Sequence, residues 1–480
     1  MLHHVVLAGA LAALVAADTT TTINAQSNWG TWDGWGVSLA WWAKAFGNRD
    51  DLADIFFTLN TTTLNSVTLP GLGFNIARYN AGASSNNTYD GASMVKSPKL
   101  LASREMDSYW LDWASSDPTS SSWDWSVDAN QRTMLIKAAS RGANHLELFS
   151  NSPPWWMCYN HNPSGSDVGV TDNLQSWNYD THATYLASIA QYAKEHWGIT
   201  FASVEPFNEP TSPTWGGLWG AQEGCHYNIA TMASVIPYAR SELDSRGLTT
   251  TLVAASDENT YDEAVVTFAG LGSDAIAKIG RVNVHGYQEG GGSRDGLYDL
   301  ASNAGLPIWN TEYGESDATG SKLVSNLILD FRWLHPTGWV YWQAIDSGGW
   351  GLVDGNNDDL TLNTPGQKYF CLAQFTRHIR EGMKILDGGA DNVVAAYDAA
   401  GKKLVIVAIN WGDAQNLNFD LSGFSTPGKD GQAIPRWNTQ ISSGDQYVAH
   451  ATDTTQNGTM FGSNFAQNEV QTFEVANVVI

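Results

Sequence analysis

Eight short runs rich in β-branched and aromatic residues, separated by stretches of helical periodicity, constrain this chain more than any other feature. They lie near Trp35–Leu39, Phe74–Tyr79, His145–Phe149, Phe201–Glu209, Leu252–Glu258, Arg281–Tyr287, Leu306–Glu312 and Gly338–Gln343. Between them come helical patterns at residues 130–141, 181–198 and 229–245. In the second of these Tyr185, Ile189 and Tyr192 form one stripe, Asp180 is the expected N-cap and Gly198 the stop. Strands alternating with helices predict α/β architecture, and eight such units predict a closed (β/α)8 TIM barrel over residues 30–380. Such barrels typically need ~250 residues, so the excess is expected in long loops on the face where the strands end. A doubly wound sheet would require a glycine-rich phosphate turn into a helix after the first strand, and GWGVSL at residues 34–39 opens none.

After Gly388 the texture changes. NVVAAYDAAGKKLVIVAINW reads as a hairpin turning at Asp398–Gly401, and NLNFDLSGF, QYVAHAT and VQTFEVANVVI are further short strands without helical stripes. A β-sandwich is expected over residues 381–480, with the Thr-rich residues 18–29 adding a strand to it. It holds no concentration of carboxylates, so the chemistry is expected on the barrel.

Two strand exits carry that chemistry. FASVEPFNEP at residues 201–210 would place Phe201, Ser203, Glu205, Phe207 and Glu209 on one strand face, with Pro210 closing the strand beside Asn208 and Glu209. LPIWNTEYGE at residues 306–315 repeats the arrangement with Asn310, Thr311 and Glu312. Either glutamate alone reads equally well as a helix cap or an ion-pair partner. Two on two strand exits of one barrel supply the pair of carboxyls that glycosidic bond cleavage requires. Other exits deliver Ser38, Trp41 and Trp42, then Arg78 and Asn80, then Asn151, Trp155 and Trp156, then His285 and Tyr287, then Trp342 and Gln343. An Arg near two carboxylates can hold one ionised, although an ordinary structural ion pair explains Arg78 as well. Glu205 is expected to be a buried structural acid and Glu315 a rim or capping group, while Glu147, Asp257, Glu258 and Glu289 are candidate subsite contacts.

The chain has 22 Trp, more than a core usually needs, so some should line a groove where indole faces stack on sugar rings. Trp35, Trp41 and Trp155 are the expected floor. With 25 Lys and Arg against 49 Asp and Glu, the net charge of −24 disfavours nucleic acid and anionic membranes and suits a neutral polymer. A monomer is expected. Residues 1–17 lack acidic groups and carry an apolar run too short to span a bilayer, as in a secretory signal peptide cut before Asp18. Secretion to the extracellular space follows, and Asn60, Asn86 and Asn457 begin sequons that can then carry glycans. Of three cysteines, Cys158 and Cys225 follow consecutive strands and are the expected disulfide, with Cys371 a buried helical thiol. Their spacing suggests no metal site.

DGWGVSLAWWA, SPPWWM, PFNEP, HGYQ, WNTEYGE and YWQ, in this order and spacing, resemble glycoside hydrolase family 30 over nearly the whole mature chain. SLAWWA and WWMC are most similar to the fungal endo-β-1,6-galactanases of that family. The resemblance implies a barrel with a side β-sandwich, retention of anomeric configuration and no cofactor. It also implies Glu209 as acid/base, Glu312 as nucleophile, and Arg78, Asn208, Tyr287 and Trp342 in the surrounding pocket, with Asn208 near the sugar 2-hydroxyl and Tyr287 and Arg78 holding Glu312 ionised. The expected substrate is the β-1,6-galactan of arabinogalactan side chains. The alternatives are β-1,6-glucan or another polymer of the same family, and a noncatalytic sugar-binding protein, which would have no use for a second carboxylate.

Overall fold

A computed structural model describes residues 18–480, and the expected signal segment lies outside them. Eight parallel strands close into a barrel: β1 (Gly34–Ser38), β2 (Ile76–Asn80), β3 (His145–Phe149), β4 (Ser203–Glu205), β5 (Leu252–Glu258), β6 (Arg281–His285), β7 (Ile308–Tyr313) and β8 (Gly338–Tyr341). Closure comes from β8 against β1, with Gly338 opposite Gly34 and Tyr341 opposite Val37. Helices Ala129–Ser140, Tyr179–Tyr192, Ile229–Ser245, Tyr261–Leu271, Arg294–Asn303, Ser321–Leu329 and Gln367–Thr376 cover the outside. No helix among the described residues is long and apolar enough to cross a membrane.

Period-two alternation explains the fate of Trp35. On β1 it shares a face with Val37, and that face turns outward: Trp35 packs on Phe331 and Phe375 of the helical layer and on Trp339 of β8. Its indole N–H donates to the Ile379 carbonyl (2.7 Å), so it is core and not groove floor. β4 is shorter than its apolar run suggests. It ends at Glu205 because Pro206 follows and offers no N–H to the ladder. Glu209 therefore lies beyond the strand, in a left-handed turn with φ 45°. The helix expected to be capped by Asp180 begins two residues earlier, after Asn178, while Gly198 ends it in the left-handed conformation that a residue without Cβ adopts freely.

The C-terminal region is a six-stranded sheet in the order Lys384–Asp387, Val393–Asp398, Lys403–Asn410, Glu469–Ala476, Arg436–Gln440 and Val448–His450. A three-stranded sheet faces it, in which Thr19–Thr22 pairs parallel with Gln415–Asp420. Alternate residues of both meet in a core around Ile406, Phe419, Phe461 and Phe473.

The barrel's extra length lies in four loops at the strand C-termini: residues 81–128 after β2, 150–178 after β3, 206–228 after β4 and 342–366 after β8. All three cysteines are buried thiols. The expected Cys158–Cys225 bridge is not formed: the Cys158 sulfur points to the Pro153 carbonyl and that of Cys225 to the His226 carbonyl. They remain neighbours, since the Cys158 thiol is pushed well up first by burial and then by Cys225.

Candidate active site

The interior of the barrel mouth is a network of charges built from residues of six strands and their exits. Arg78, midway along β2 and fully buried, is the hub. Its guanidinium donates to Glu147 on β3 (2.7 Å), to Asp257 on β5 (2.6 Å), to the Thr311 carbonyl (3.0 Å) and to Glu312 on β7 (3.4 Å). Arg281 and Asn283, at the start of β6, close on Glu147 from below, beside the Ser203 hydroxyl. Burial alone would weaken the Arg78 cation, but the charges of Asp257, Glu147 and Glu312 raise its pKa above the ordinary value.

His285, the last residue of β6, stands between the carboxylates. Its Nδ1 lies 3.2 Å from Glu209 and 3.6 Å from Glu312, and its Nε2 lies 3.2 Å from Asp257. Burial favours the neutral ring, yet the charges of Glu312 and Asp257 push its pKa up to about 10, so it is an imidazolium. Asp257 answers in kind: burial disfavours its charge, and Arg78 and His285 nevertheless hold it far below the carboxylate range.

One oxygen of Glu209 and one of Glu312 come within 4.8 Å of each other and of a His285 nitrogen. Such a triad has the spacing of a metal site. Its three groups are engaged with one another and with Asp257, Asn259 and Tyr287. The Glu209 backbone N–H donates to the Asp257 carbonyl (2.8 Å), and both residues have positive φ, 45° and 60°, a cost that backbones carry where geometry matters. The Asn259 amide donates to the Glu209 carboxyl (2.6 Å), and the Trp215 indole to the Glu209 carbonyl (2.8 Å). Opposite, the Tyr287 hydroxyl donates to Glu312 (2.8 Å), placed there because the Gly286 N–H binds the Glu312 carbonyl (2.8 Å). Tyr287 keeps its proton, since burial and then the charges of Glu312 and Glu209 raise its pKa well above normal.

The sequence led us to expect Glu312 held ionised by Tyr287 and Arg78. Burial instead lifts it to about 7, with His285 and Arg78 opposing and Glu209 reinforcing the rise. Arg78 helps only weakly, because its short contacts go to Glu147 and Asp257 and Glu312 receives the long one. Glu312 therefore exchanges its proton near pH 7.

Above the pair opens a groove of about 690 Å³ whose lining includes Trp41, Trp342, Tyr287, Trp215, Trp219 and Trp350. Trp41 meets Trp342 edge-on at 4.9 Å, and the Arg104 guanidinium lies 4.2 Å over its ring. Asn208 is buried beside Glu209 with its Oδ1 unpartnered, a group free to bind a ligand hydroxyl.

Besides Trp35, two expected floor or pocket residues are absent from this groove. Trp155 is fully buried and its indole donates to Ser85 (2.7 Å), while Asn80 is tied to Gln131 and to the Asn151 N–H. Among the rival acids, Glu205 is buried and its pKa lies well above the usual range because of burial and then Asp257 and Glu147, so it is neutral. Glu258 binds Thr211 and Thr267, Glu289 pairs with Lys322 at the surface, and Glu315 pairs with Lys368. Arg104, Trp215, Trp219, Trp350 and Asn259 went unread, since four of them sit in loops without periodicity. Asn259 alone carried a signal, being the residue directly after β5.

A (β/α)8 barrel with two close carboxyls at the ends of β4 and β7, beneath an indole-lined groove, defines a glycosidase. Residues 13–274 match the sequence profile of O-Glycosyl hydrolase family 30. An endo-β-1,6-galactanase of Hypocrea rufa is 62% identical over 464 residues, covering 97% of this chain and 96% of that one. The chain belongs to glycoside hydrolase family 30. An exo-β-1,6-galactobiohydrolase of Bifidobacterium longum is 23% identical, covering 85% of this chain and 36% of its own. Among solved structures, the catalytic domain of xylanase C from Talaromyces cellulolyticus superposes with a TM-score of 0.70 at 20% identity, covering 95% of this chain and all of that one.

Proposed function

We propose that this protein is a secreted, retaining endo-β-1,6-galactanase that cuts internal linkages in the galactan side chains of arabinogalactan. The observation that carries the reaction type is the approach of Glu209 and Glu312 to within 4.8 Å. Retaining enzymes hold their carboxyls ~5–5.5 Å apart and inverting ones ~6.5–9.5 Å, the latter leaving room for a water. Similarity to the Hypocrea rufa galactanase over 97% of the chain supports galactan as the polymer.

Acid assistance requires a proton on Glu209 and a charge on Glu312. As the C1–O bond breaks, Glu209 passes that proton to the leaving oxygen while a Glu312 oxygen bonds to C1, and the leaving saccharide departs neutral. Water then attacks C1, Glu209 takes its proton, and Glu312 is released as carboxylate. His285 and Arg78 offset the charge that remains in the pocket, Tyr287 orients the nucleophile, and the Asn208 amide oxygen accepts from the sugar 2-hydroxyl. Export is supported by residues 1–17 and by the exposure of all three sequon asparagines.

Product profiles on β-1,6-galactan and β-1,6-glucan side by side test the substrate: a ladder of oligomers from galactan is expected, and faster hydrolysis of glucan would replace the reading with a β-1,6-glucanase. Glu312→Ala should lose several orders of magnitude of activity. Glu209→Ala should keep turnover of aryl glycosides with good leaving groups and gain rate with azide. Labelling by a fluorinated sugar should fall on Glu312, and a label on Glu209, or inverted products, would refute the roles.

A further inference from the structure

A second cavity, of about 430 Å³, opens between the loops after β2 and β3 and shares no lining residue with the groove. Trp113, Trp156 and Trp177 line it, with His161, Gln175 and Asn178 between them. We propose that this cavity is a noncatalytic binding site for galactosyl units of the same polysaccharide whose backbone the groove cleaves, a step that rests on the functional reading above.

The aromatic surface is exposed at a cost that nothing within the described residues repays. Trp177 is 66% exposed and Trp113 40%, where indoles ordinarily bury most of their area. Both are nonetheless held in place. Trp177 meets the Tyr159 ring edge-on at 5.6 Å, and the Tyr159 hydroxyl accepts from the Ser176 N–H (3.1 Å). Trp113 meets Tyr89 edge-on at 5.0 Å and packs against Trp156, whose own indole N–H is spent on the Trp110 carbonyl. Rigid indoles lose little entropy on binding a ring.

Polar atoms sit among them. The Asn178 amide donates to Gln175 (2.7 Å) but makes no capping bond to the helix it precedes, which leaves its carbonyl oxygen for a ligand hydroxyl. Indole faces beside a few amide and imidazole groups match a pyranose, apolar on one face and hydroxylated at its rim. The charge of −24 disfavours anionic occupants. Location favours the substrate itself: both loops leave strand C-termini on the catalytic face, and the loop after β2 that carries Trp113 also delivers Arg104 to the groove. A branched or folded polymer can therefore engage both sites, and the second contact raises its effective concentration at the first.

The test uses the full protein. Trp177→Ala and Trp113→Ala are placed in the inactive Glu312→Ala background and run through native gels containing soluble β-1,6-galactan. The same variants in the active protein are assayed on the polymer and on β-1,6-galactotriose, whose hydrolysis depends on the groove alone. We expect each variant to weaken retardation about five- to tenfold and to raise KM on the polymer, with kcat/KM on the trisaccharide unchanged. Equal retardation and equal polymer KM would overturn the site, as would parallel losses on polymer and trisaccharide. A wild type that binds galactan through Trp177 without hydrolysing it would refute the galactanase reading and leave the site standing.

Discussion

Replacing His285 by Gln removes the one cation that touches Glu209, Glu312 and Asp257. The carboxylates raise its pKa from 6.5 to about 10 against the pull of burial, a gain of roughly 5 kcal/mol at ~1.4 kcal/mol per pKa unit. Linkage is reciprocal, so the imidazolium lowers the proton affinity of its neighbours by the same total. Shared among its three carboxyl neighbours, about a third of that reaches Glu312, more than one pH unit. Glu312 loses its proton near pH 7 in the native protein and must be ionised to attack, so the acidic limb of kcat/KM should rise there and move upward by at least about one unit in His285→Gln. The stability effect has its own sign. A folded pKa above the unfolded value contributes stability that is complete below about 6.5 and is lost as pH rises through about 10. Urea unfolding should therefore show the variant about 3–5 kcal/mol less stable at pH 6, with the gap closing toward pH 10. An acidic limb that coincides with wild type, or a stability gap independent of pH, would refute the charge network as described.

Arg78→Lys keeps the charge but cannot reach Glu147, Asp257 and Glu312 at once; activity should fall at least about a hundredfold and stability by about 3–5 kcal/mol, read by kinetics and urea unfolding. Glu205 is neutral when folded, and a raised carboxyl pKa costs stability as pH climbs above 4.5, so Glu205→Gln should raise Tm at pH 7 and leave it unchanged at pH 4. Trp41→Ala should raise KM for β-1,6-galacto-oligomers about tenfold, and unchanged kinetics on every oligomer would remove Trp41 from the groove.

The eight strands were legible because period-two runs bounded by turn residues survive any loop length, and the two glutamates because they end such runs. Alternation states which residues share a face but not which way the face turns. That ambiguity put Trp35 in the groove when it packs on the helical layer, and strand-exit position alone likewise over-reads Trp155 and Asn80. The groove walls were illegible for the opposite reason. Trp215, Trp219 and Trp350 lie in loops whose course is set by contacts such as the Trp215 bond to the Glu209 carbonyl, and no periodicity announces them.

Asp257 shows what a sequence withholds even where it names the right residue. Read as a possible subsite contact, it is instead one of five carboxyls, with Glu147, Glu205, Glu209 and Glu312, gathered at the barrel mouth against three cations, Arg78, Arg281 and His285. Low-dielectric surroundings do not tolerate an excess of two negative charges, so two protons must stay behind. One is on Glu205, the carboxyl with no cation within ion-pairing distance. The other is on Glu312, held there up to about pH 7. The proton balance of the network is thus set in part by residues, Glu147 and Arg281 among them, that lie a layer below the groove.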